Sequence, residues 1–213
     1  IYMVSGLGAD YKVLERLTFE PGLEVVFLDW LLPKKNETFA DYVQRMADRV
    51  DDSEPFYLLG YSFGGFIVQE IHKLKPAEKV VILGSIRTQR EGSGLMTFSR
   101  VLRMHRWFPT SFYGIKTTAF YTLVRGVIDP ANPRVLQYFN VRDPYYLRWS
   151  LQKIVEWRGA NDPDVIQILG DRDIVFPISR SKPNYIIKGG THLFPATKHK
   201  EVSAILKEIF KVP

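Results

Sequence analysis

The amino-acid sequence predicts an α/β protein with a mostly parallel sheet of about six strands and helices on both faces. Short, continuously apolar segments alternate along the chain with longer amphipathic ones, and the short segments are rich in β-branched and aromatic residues. Such segments are typical of strands that are buried on both faces. Because alternating strands and helices form parallel crossovers, we expect ligands beyond the carboxyl ends of the strands.

Six segments have the character of strands. By residue number they are 1–4, 24–28, 56–60, 79–84, 164–169 and 184–188. Apolar residues at helical spacing occur between them, behind a predicted N-cap at Asn36, and again at the C-terminus. The apolar positions of these two helices are Phe39, Tyr42, Val43, Met46 and Val50, and then Val202, Ile205, Leu206, Ile209 and Phe210.

The composition indicates one domain that spans residues 1–213. Hydrophobic residues make up 46% of the chain, enough for a core shared between a sheet and its helices. No apolar run reaches the roughly 18 residues of a membrane span, and no basic leader precedes an apolar stretch, so we expect a cytoplasmic protein. The sequence contains no cysteine, which excludes disulfides, thiolate metal sites and cysteine nucleophiles.

The section from about 91 to 157 interrupts the alternation with helical, aromatic-rich sequence, and we interpret it as a cap inserted in the domain. Between Arg87 and Arg158, twelve Lys and Arg residues accompany only four Asp and Glu residues, whereas the whole chain has a net charge of +6. Basic and aromatic residues together also occur in nucleic-acid-binding proteins. A solvated helical face whose arginine stems cover apolar surface explains the same composition, so we expect no nucleic-acid partner.

A serine flanked by glycines stands between the third predicted strand and an apolar helix predicted at 66–74. The motif reads Gly60-Tyr61-Ser62-Phe63-Gly64-Gly65. Its glycines allow neighbouring elements to approach closely, and a serine at the apex of such a turn is held in a strained conformation. The motif alone is weak evidence, but its position between a strand and a helix makes Ser62 a candidate nucleophile.

A serine nucleophile needs a base and a group that orients the base, and candidates for both follow predicted strands. The fifth strand leads into a loop with Asp171 and Asp173, and the last strand leads into Gly189-Gly190-Thr191-His192. Histidines 72, 105 and 199 lie on predicted helices or in the cap, where a surface or packed imidazole is the ordinary explanation. His192 is therefore the candidate base.

With serine, aspartate and histidine in this order, the chain resembles the α/β-hydrolase superfamily over nearly its whole length, the cap excepted. In that family the acid stands three residues after a glycine and four before a proline, which selects Asp173 rather than Asp171. The resemblance implies Ser62 as nucleophile and His192 as general base.

The resemblance also implies an oxyanion hole formed by the backbone N–H groups of Leu7 and Phe63. Two features depart from the family pattern. Ser5 stands where histidine is frequent, and the chain begins at what resembles the family's third strand, so the usual leading hairpin is absent or was not included.

These features predict an enzyme of the carboxylesterase or thioesterase kind, which cleaves a small to medium substrate through an acyl-serine intermediate. No cofactor and no metal are expected. A further hypothesis is that basic residues of the cap receive an acyl carrier protein or a coenzyme A thioester. These residues are Arg100, Arg103, Arg106, Arg125, Arg142 and Arg148.

Two alternatives belong to other functional classes. A non-catalytic protein with the same fold would bind a ligand through its cap. An NAD(P)-dependent oxidoreductase is suggested by Gly6-Leu7-Gly8 and by Asp29 about twenty residues further on. Tyr11 occupies the third glycine position of that fingerprint, which would crowd the contact between helix and strand.

Overall fold

Six parallel strands form the sheet, in the order β2-β1-β3-β4-β5-β6. Strands β1 to β6 span Tyr2–Val4, Val26–Phe27, Tyr57–Tyr61, Lys79–Leu83, Ile166–Gly170 and Tyr185–Ile187. The computed structural model describes residues 1–94, 96, 110–113, 126, 129, 135–160 and 162–211. Each strand overlaps a predicted one, and the predicted α/β fold with a parallel sheet is confirmed.

The strand order reverses at β1, which pairs with β2 on one side and with β3 on the other. Val4, the last residue of β1, lies opposite Gly60 near the end of β3. The loops that follow these two strands therefore leave the sheet side by side. Such a reversal of strand order opens a crevice where ligands bind in open α/β sheets.

Helices cover both faces of the sheet. Within the described residues, α1 to α5 span Phe39–Ala47, Phe63–Leu74, Pro144–Glu156, Phe194–Thr197 and His199–Ile209. Leu58 belongs to a core cluster with residues of α1 and α2, whereas the adjacent Leu59 belongs to a second cluster with residues of α5. Successive strand residues point to opposite faces, so β3 is buried on both.

The predicted N-cap of α1 at Asn36 is wrong, because Thr38 caps this helix. Thr38 has an extended backbone, and its Oγ1 accepts a hydrogen bond of 3.1 Å from the Asp41 N–H. The Asp41 carboxylate in turn accepts a hydrogen bond of 2.6 Å from the Thr38 hydroxyl. Asn36 has a φ of 59° and serves instead as a left-handed residue in the preceding turn.

The predicted cap at about 91–157 falls largely on residues outside the described part of the chain, so its extent stays a prediction. Helix α3 belongs to this section and is described. Its N-cap is Asp143, whose carboxylate accepts a 2.8 Å hydrogen bond from the Tyr146 N–H. Buried Tyr146 and Leu147 pack with Tyr113 and against Leu7, which follows β1. Helix α3 therefore lies over the loop that follows β1.

No helix in the described ranges is long and apolar enough to cross a membrane.

Candidate active site

Ser62 occupies a strained turn between β3 and α2. Its φ of 53° and ψ of −118° lie outside the regions that residues with a side chain prefer. Such strain costs about 1–3 kcal/mol and persists only where the surroundings hold it. The Ser62 N–H donates to the Leu83 carbonyl at 2.9 Å, and the Ser62 carbonyl accepts a 2.7 Å hydrogen bond from the Ser85 hydroxyl. Both flanking peptides are thus tied to the end of β4.

The glycines on either side of Ser62 are required by packing. A Cβ on Gly60 would overlap the Gly64 backbone, and a Cβ on Gly64 would overlap the Val4 carbonyl oxygen at the end of β1. The first turn of α2 can therefore lie directly against β1 and β3. This close approach brings Ser62 to the crevice at the reversal of strand order.

The loops after β5 and β6 are joined through another pair of glycines. A Cβ on Gly170 would overlap the Gly190 carbonyl oxygen, and that same oxygen accepts a 3.0 Å hydrogen bond from the Arg172 N–H. Backbone contact between the two loops places the segment after Gly170 beside the segment after Gly190. Asp173 and His192, three and two residues further on, become neighbours as a result.

The structure brings Ser62, His192 and Asp173 together in one hydrogen-bonded line. The Ser62 Oγ lies 2.9 Å from His192 Nε2, and His192 Nδ1 lies 2.8 Å from an Asp173 carboxylate oxygen. His192 and Asp173 are buried, with 2% and 3% of their surface exposed, and Ser62 is partly exposed. With its proton on Nδ1, the imidazole donates to Asp173 and keeps Nε2 free to accept the serine proton.

The Asp173 carboxylate is held by the backbone of its own loop. Its second oxygen accepts hydrogen bonds from the Val175 and Phe176 N–H groups, at 2.8 Å and 3.0 Å. Asp171 is turned elsewhere, since its carboxylate accepts a 2.7 Å hydrogen bond from the Gly189 N–H. Of the two candidate acids, Asp173 is the one in contact with the imidazole.

Tyr61 contacts His192 through its hydroxyl and its ring, a role that the sequence motif did not indicate. Its buried hydroxyl donates to the His192 carbonyl oxygen at 3.0 Å, and the two rings lie 5.3 Å apart. Burial raises the pKa of the Tyr61 hydroxyl well above its ordinary value, and the nearby carboxylates of Asp173 and Asp129 raise it further. The phenol therefore stays protonated and keeps its capacity to donate.

The two backbone groups predicted as oxyanion donors belong to residues near Ser62. Phe63 is the first residue of α2, and Leu7 follows β1. A Cβ on Gly6 would lie 3.2 Å from the Ser62 Cβ, so the peptide between Gly6 and Leu7 is adjacent to the serine. Within the described residues, neither the Leu7 N–H nor the Phe63 N–H donates a hydrogen bond.

Contacts that the sequence did not reveal anchor the loop after β1. The Ser5 hydroxyl donates to the Ala9 carbonyl at 2.6 Å, and Tyr146 of α3 accepts a long, 3.4 Å hydrogen bond from the Gly8 N–H. The indole of Trp30 also donates to this loop. The loop that contains Ser5 is thus anchored by its own serine hydroxyl and by side chains from two other parts of the chain.

The remaining histidines in the described residues lie away from this line. His72 Nδ1 accepts a hydrogen bond from the Ala77 N–H, and its Nε2 lies 3.5 Å from the Asp162 carboxylate. His199 is the first residue of α5, and His105 lies outside the described residues. In the described part of the chain, no group of three or more His, Asp or Glu side chains could hold a metal ion.

Comparison with solved structures finds similar folds at low sequence identity. An α/β-hydrolase fold protein from Burkholderia ambifaria superposes with a TM-score of 0.69 at 15% identity, covering 97% of this chain and 89% of the other. A lipase-esterase related protein from Clostridium acetobutylicum gives 0.66 at 18% identity, with 97% and 92% covered. A thermophilic esterase from Thermogutta terrifontis gives 0.66 at 14% identity, with 98% and 88% covered.

No family model matches the sequence, and no curated protein matches it. The similarity is therefore one of three-dimensional structure, and it extends over nearly the whole chain. Together with the all-parallel sheet and the strained serine turn after β3, it leads to one conclusion: the chain has the α/β-hydrolase fold.

Proposed function

We propose that this protein is a serine hydrolase that cleaves a carboxylic ester or thioester through an acyl-serine intermediate, with Ser62, His192 and Asp173 as its catalytic triad. The observation that carries the proposal is the line of two hydrogen bonds, 2.9 Å and 2.8 Å long, that joins these three side chains. The names of several similar solved structures, among them an esterase and a lipase-esterase related protein, agree with it.

In the acylation step the Ser62 oxygen attacks the carbonyl carbon of the substrate while His192 Nε2 takes the serine proton. The carbonyl π electrons move to oxygen, and the resulting oxyanion accepts hydrogen bonds from the Leu7 and Phe63 N–H groups. When the carbonyl re-forms, the bond to the alcohol or thiol breaks, and His192 returns its proton to that leaving group. Asp173 stabilises the imidazolium that exists between these two proton transfers.

In the deacylation step a water molecule repeats the attack on the acyl-serine. His192 takes a proton from this water, and the second tetrahedral intermediate collapses to the carboxylic acid. The proton then returns to the Ser62 oxygen, which restores the starting state. Both steps use the same base and the same donors, so one geometry serves the whole cycle.

The surroundings of the site favour an apolar acyl group. Partly buried hydrophobic side chains, among them Leu7, Phe112 and Leu151, pack around buried Tyr113 and Tyr146 beside the proposed oxyanion donors. Ligand pockets that are mostly apolar, with a few placed polar groups, suit small molecules of this kind. We therefore propose a small to medium ester or thioester whose acyl chain lies against these hydrophobic side chains.

The acyl-carrier and coenzyme A hypothesis has less support. Arg142 donates to the Phe139 and Leu136 carbonyls, and Arg148 donates to the Thr110 hydroxyl. The guanidinium groups of both described arginines therefore donate hydrogen bonds within the chain itself. The other four arginines of that hypothesis lie outside the described residues. It stays a prediction, and hydrolysis rates on a coenzyme A thioester that do not fall with added salt would contradict it.

The oxidoreductase alternative fits the structure poorly. In dinucleotide-binding folds the glycine-rich loop opens a helix whose N-terminus holds the pyrophosphate. Here Gly6 and Gly8 precede only a three-residue 3₁₀ turn at Tyr11–Val13, and the serine, histidine and aspartate of the site would have no role. A melting temperature that is unchanged by NAD and NADP is the expected result.

A panel of p-nitrophenyl esters from acetate to dodecanoate tests the proposal directly. We expect turnover by the wild type with a preference among chain lengths, and a loss of about 10⁴-fold or more in kcat for Ser62→Ala. Ser53→Ala changes an exposed serine and serves as the matched control. No turnover of any ester, or equal rates for wild type and Ser62→Ala, would contradict the proposal and favour a non-catalytic ligand-binding protein.

A further inference from the structure

We propose that Trp30 is a positioning residue that orients both backbone donors of the oxyanion hole at once. The inference rests on the proposed function, because it concerns the same acyl-transfer site. Trp30 is partly buried and lies just after β2, beside the loop that follows β1. Two independent contacts support the role, one through its indole N–H and one through the face of its ring.

The indole N–H is shared between two carbonyl oxygens of the loop after β1. Trp30 Nε1 lies 3.0 Å from the Gly6 oxygen and 3.1 Å from the Ala9 oxygen. The Gly6 oxygen also accepts a 3.0 Å hydrogen bond from the Ala9 N–H. Two donors therefore converge on the Gly6 carbonyl, and its direction is fixed.

The direction of the Gly6 carbonyl sets the direction of the Leu7 N–H, because both belong to one planar peptide group. All the described peptide bonds are trans, so the carbonyl and the N–H lie in that plane and point in opposite directions. While Trp30 and the Ala9 N–H hold the Gly6 oxygen on one side, the Leu7 N–H is held on the other. Hydrogen bonds to the carbonyl also polarise the peptide and strengthen its N–H as a donor.

The ring of Trp30 contacts the residue that carries the second donor. It stacks on Phe63 with a centroid distance of 5.2 Å and an interplanar angle of 11°. Phe63 is buried and is the first residue of α2, so its ring position and its N–H direction belong to the same short turn. A single side chain thus fastens the Leu7 peptide from one side and the Phe63 residue from the other.

A positioning role of this kind predicts a particular kinetic signature. The donors act on the oxyanion, which exists only near the transition state, so disturbing them lowers kcat and leaves KM nearly unchanged. Outright loss of one oxyanion donor costs about 10²–10³ in kcat. Removal of the indole N–H leaves both donors present but less well directed, so we expect a smaller loss, of about tenfold.

The test compares Trp30→Phe with Trp157→Phe. Trp30→Phe keeps an aromatic ring on Phe63 and removes the N–H. Trp157 is a matched control, since its ring also stacks on a phenylalanine of α2, Phe66, at 4.2 Å, and its N–H donates to Glu70 at 2.7 Å, away from the loop after β1. Steady-state kinetics on p-nitrophenyl acetate and the inhibition constant of a trifluoromethyl ketone, which forms a tetrahedral adduct, are measured for each.

We expect kcat to fall about tenfold in Trp30→Phe, with the inhibition constant rising in parallel and KM within about twofold of wild type. Trp157→Phe should stay within about twofold of wild type in all three quantities. An unchanged kcat in folded Trp30→Phe, a change in KM alone, or an equal loss in Trp157→Phe would each overturn the inference. If Trp30→Phe does not fold, 3-benzothienylalanine in place of Trp30 keeps the bicyclic shape, replaces the N–H by sulfur and must show the same loss.

Failure of this inference can be told apart from failure of the proposed function. If the wild type turns over the ester and Ser62→Ala does not, the proposed function stands, whatever Trp30→Phe does. If the wild type has no esterase activity, the proposed function itself fails. When the wild type is active and Ser62→Ala is not, an unchanged kcat in folded Trp30→Phe, a change in KM alone, or an equal loss in Trp157→Phe rejects the role of Trp30 alone.

Discussion

Replacement of Asp173 by asparagine tests the hydrogen-bonded line at its buried end. One carboxylate oxygen of Asp173 accepts from His192 Nδ1, and the other accepts from the Val175 and Phe176 N–H groups. An asparagine side chain has only one oxygen. If this oxygen faces the two backbone donors, the asparagine NH₂ group faces His192 Nδ1 and forces the imidazole proton onto Nε2. A protonated Nε2 cannot accept the serine proton.

The opposite orientation of the asparagine keeps the useful tautomer but presents NH₂ to two N–H groups, that of Phe176, which is buried, and that of Val175, which is partly buried. Leaving each donor unsatisfied costs about 1–3 kcal/mol, so this orientation lies about 4 kcal/mol higher. At 1.4 kcal/mol per factor of ten, about one molecule in 10³ has the competent arrangement. We therefore expect kcat for p-nitrophenyl acetate to fall about 10³-fold in Asp173→Asn.

Asp171→Asn is the matched control in the same loop. The Asp171 carboxylate accepts from the Gly189 N–H and is exposed, and an amide oxygen can replace it there. We expect its kcat to stay within about threefold of wild type. If Asp173→Asn retains more than about a tenth of the wild-type kcat, or if the two variants lose activity equally, the Asp173 carboxylate does not set the tautomer of His192.

Three further predictions concern packing, support of the base and pH. Gly64→Ala places a Cβ on the Val4 carbonyl oxygen. We expect the free energy of unfolding, measured by urea denaturation, to fall by about 3 kcal/mol. An unfolding free energy equal to that of the wild type would contradict the close packing at Gly64. Tyr61→Phe removes the hydrogen bond to the His192 carbonyl and should cost about 1–3 kcal/mol in the same assay; no change would show that the bond is dispensable. Burial raises the pKa of both Tyr61 and Tyr146 above the ordinary value of 10.0. The contribution of each tyrosine to the free energy of unfolding is therefore complete below pH 10 and is lost as pH rises from there toward the pKa of the folded state. Each tyrosine should then contribute a slope of about −1.4 kcal/mol per pH unit to the free energy of unfolding, and a slope above pH 10 that is equal in wild type and Tyr146→Phe would refute this.

The sequence was sufficient for the sheet because the strands are buried on both faces. Such strands are continuously apolar, and burial of both faces leaves a signal that does not depend on the partner strand. Their ends were less well defined. The segment predicted at 24–28 forms a strand only at Val26–Phe27, because pairing with Tyr2 and Met3 of β1 sets its length.

Local capping was harder to predict, since several residues before α1 can cap a helix. Asn36 and Thr38 both have suitable side chains, and only the backbone decides between them. Thr38 is extended, whereas Asn36 is left-handed. The sequence holds no direct record of that difference.

Residues that support the candidate site could not be found from the sequence, because each acts across a long separation in the chain. Tyr61 bonds to a residue 131 positions away, and Tyr146 to one 138 positions away. Trp30 reaches back 24 positions to Gly6. Large aromatic residues are ordinary core material in any sequence, so only the packed structure distinguishes those whose polar atoms hold a functional loop.

Covalent labelling with a fluorophosphonate, located by peptide mass spectrometry, tests whether Ser62 is a nucleophile activated by His192. Attack by the serine oxygen on phosphorus requires the base and leaves a stable adduct on the nucleophile. We expect one adduct per wild-type chain, on the peptide containing Ser62, none in Ser62→Ala, and labelling slowed by about 10³-fold or more in His192→Gln. A folded wild-type protein that stays unlabelled, or an adduct on a different residue, would contradict the account.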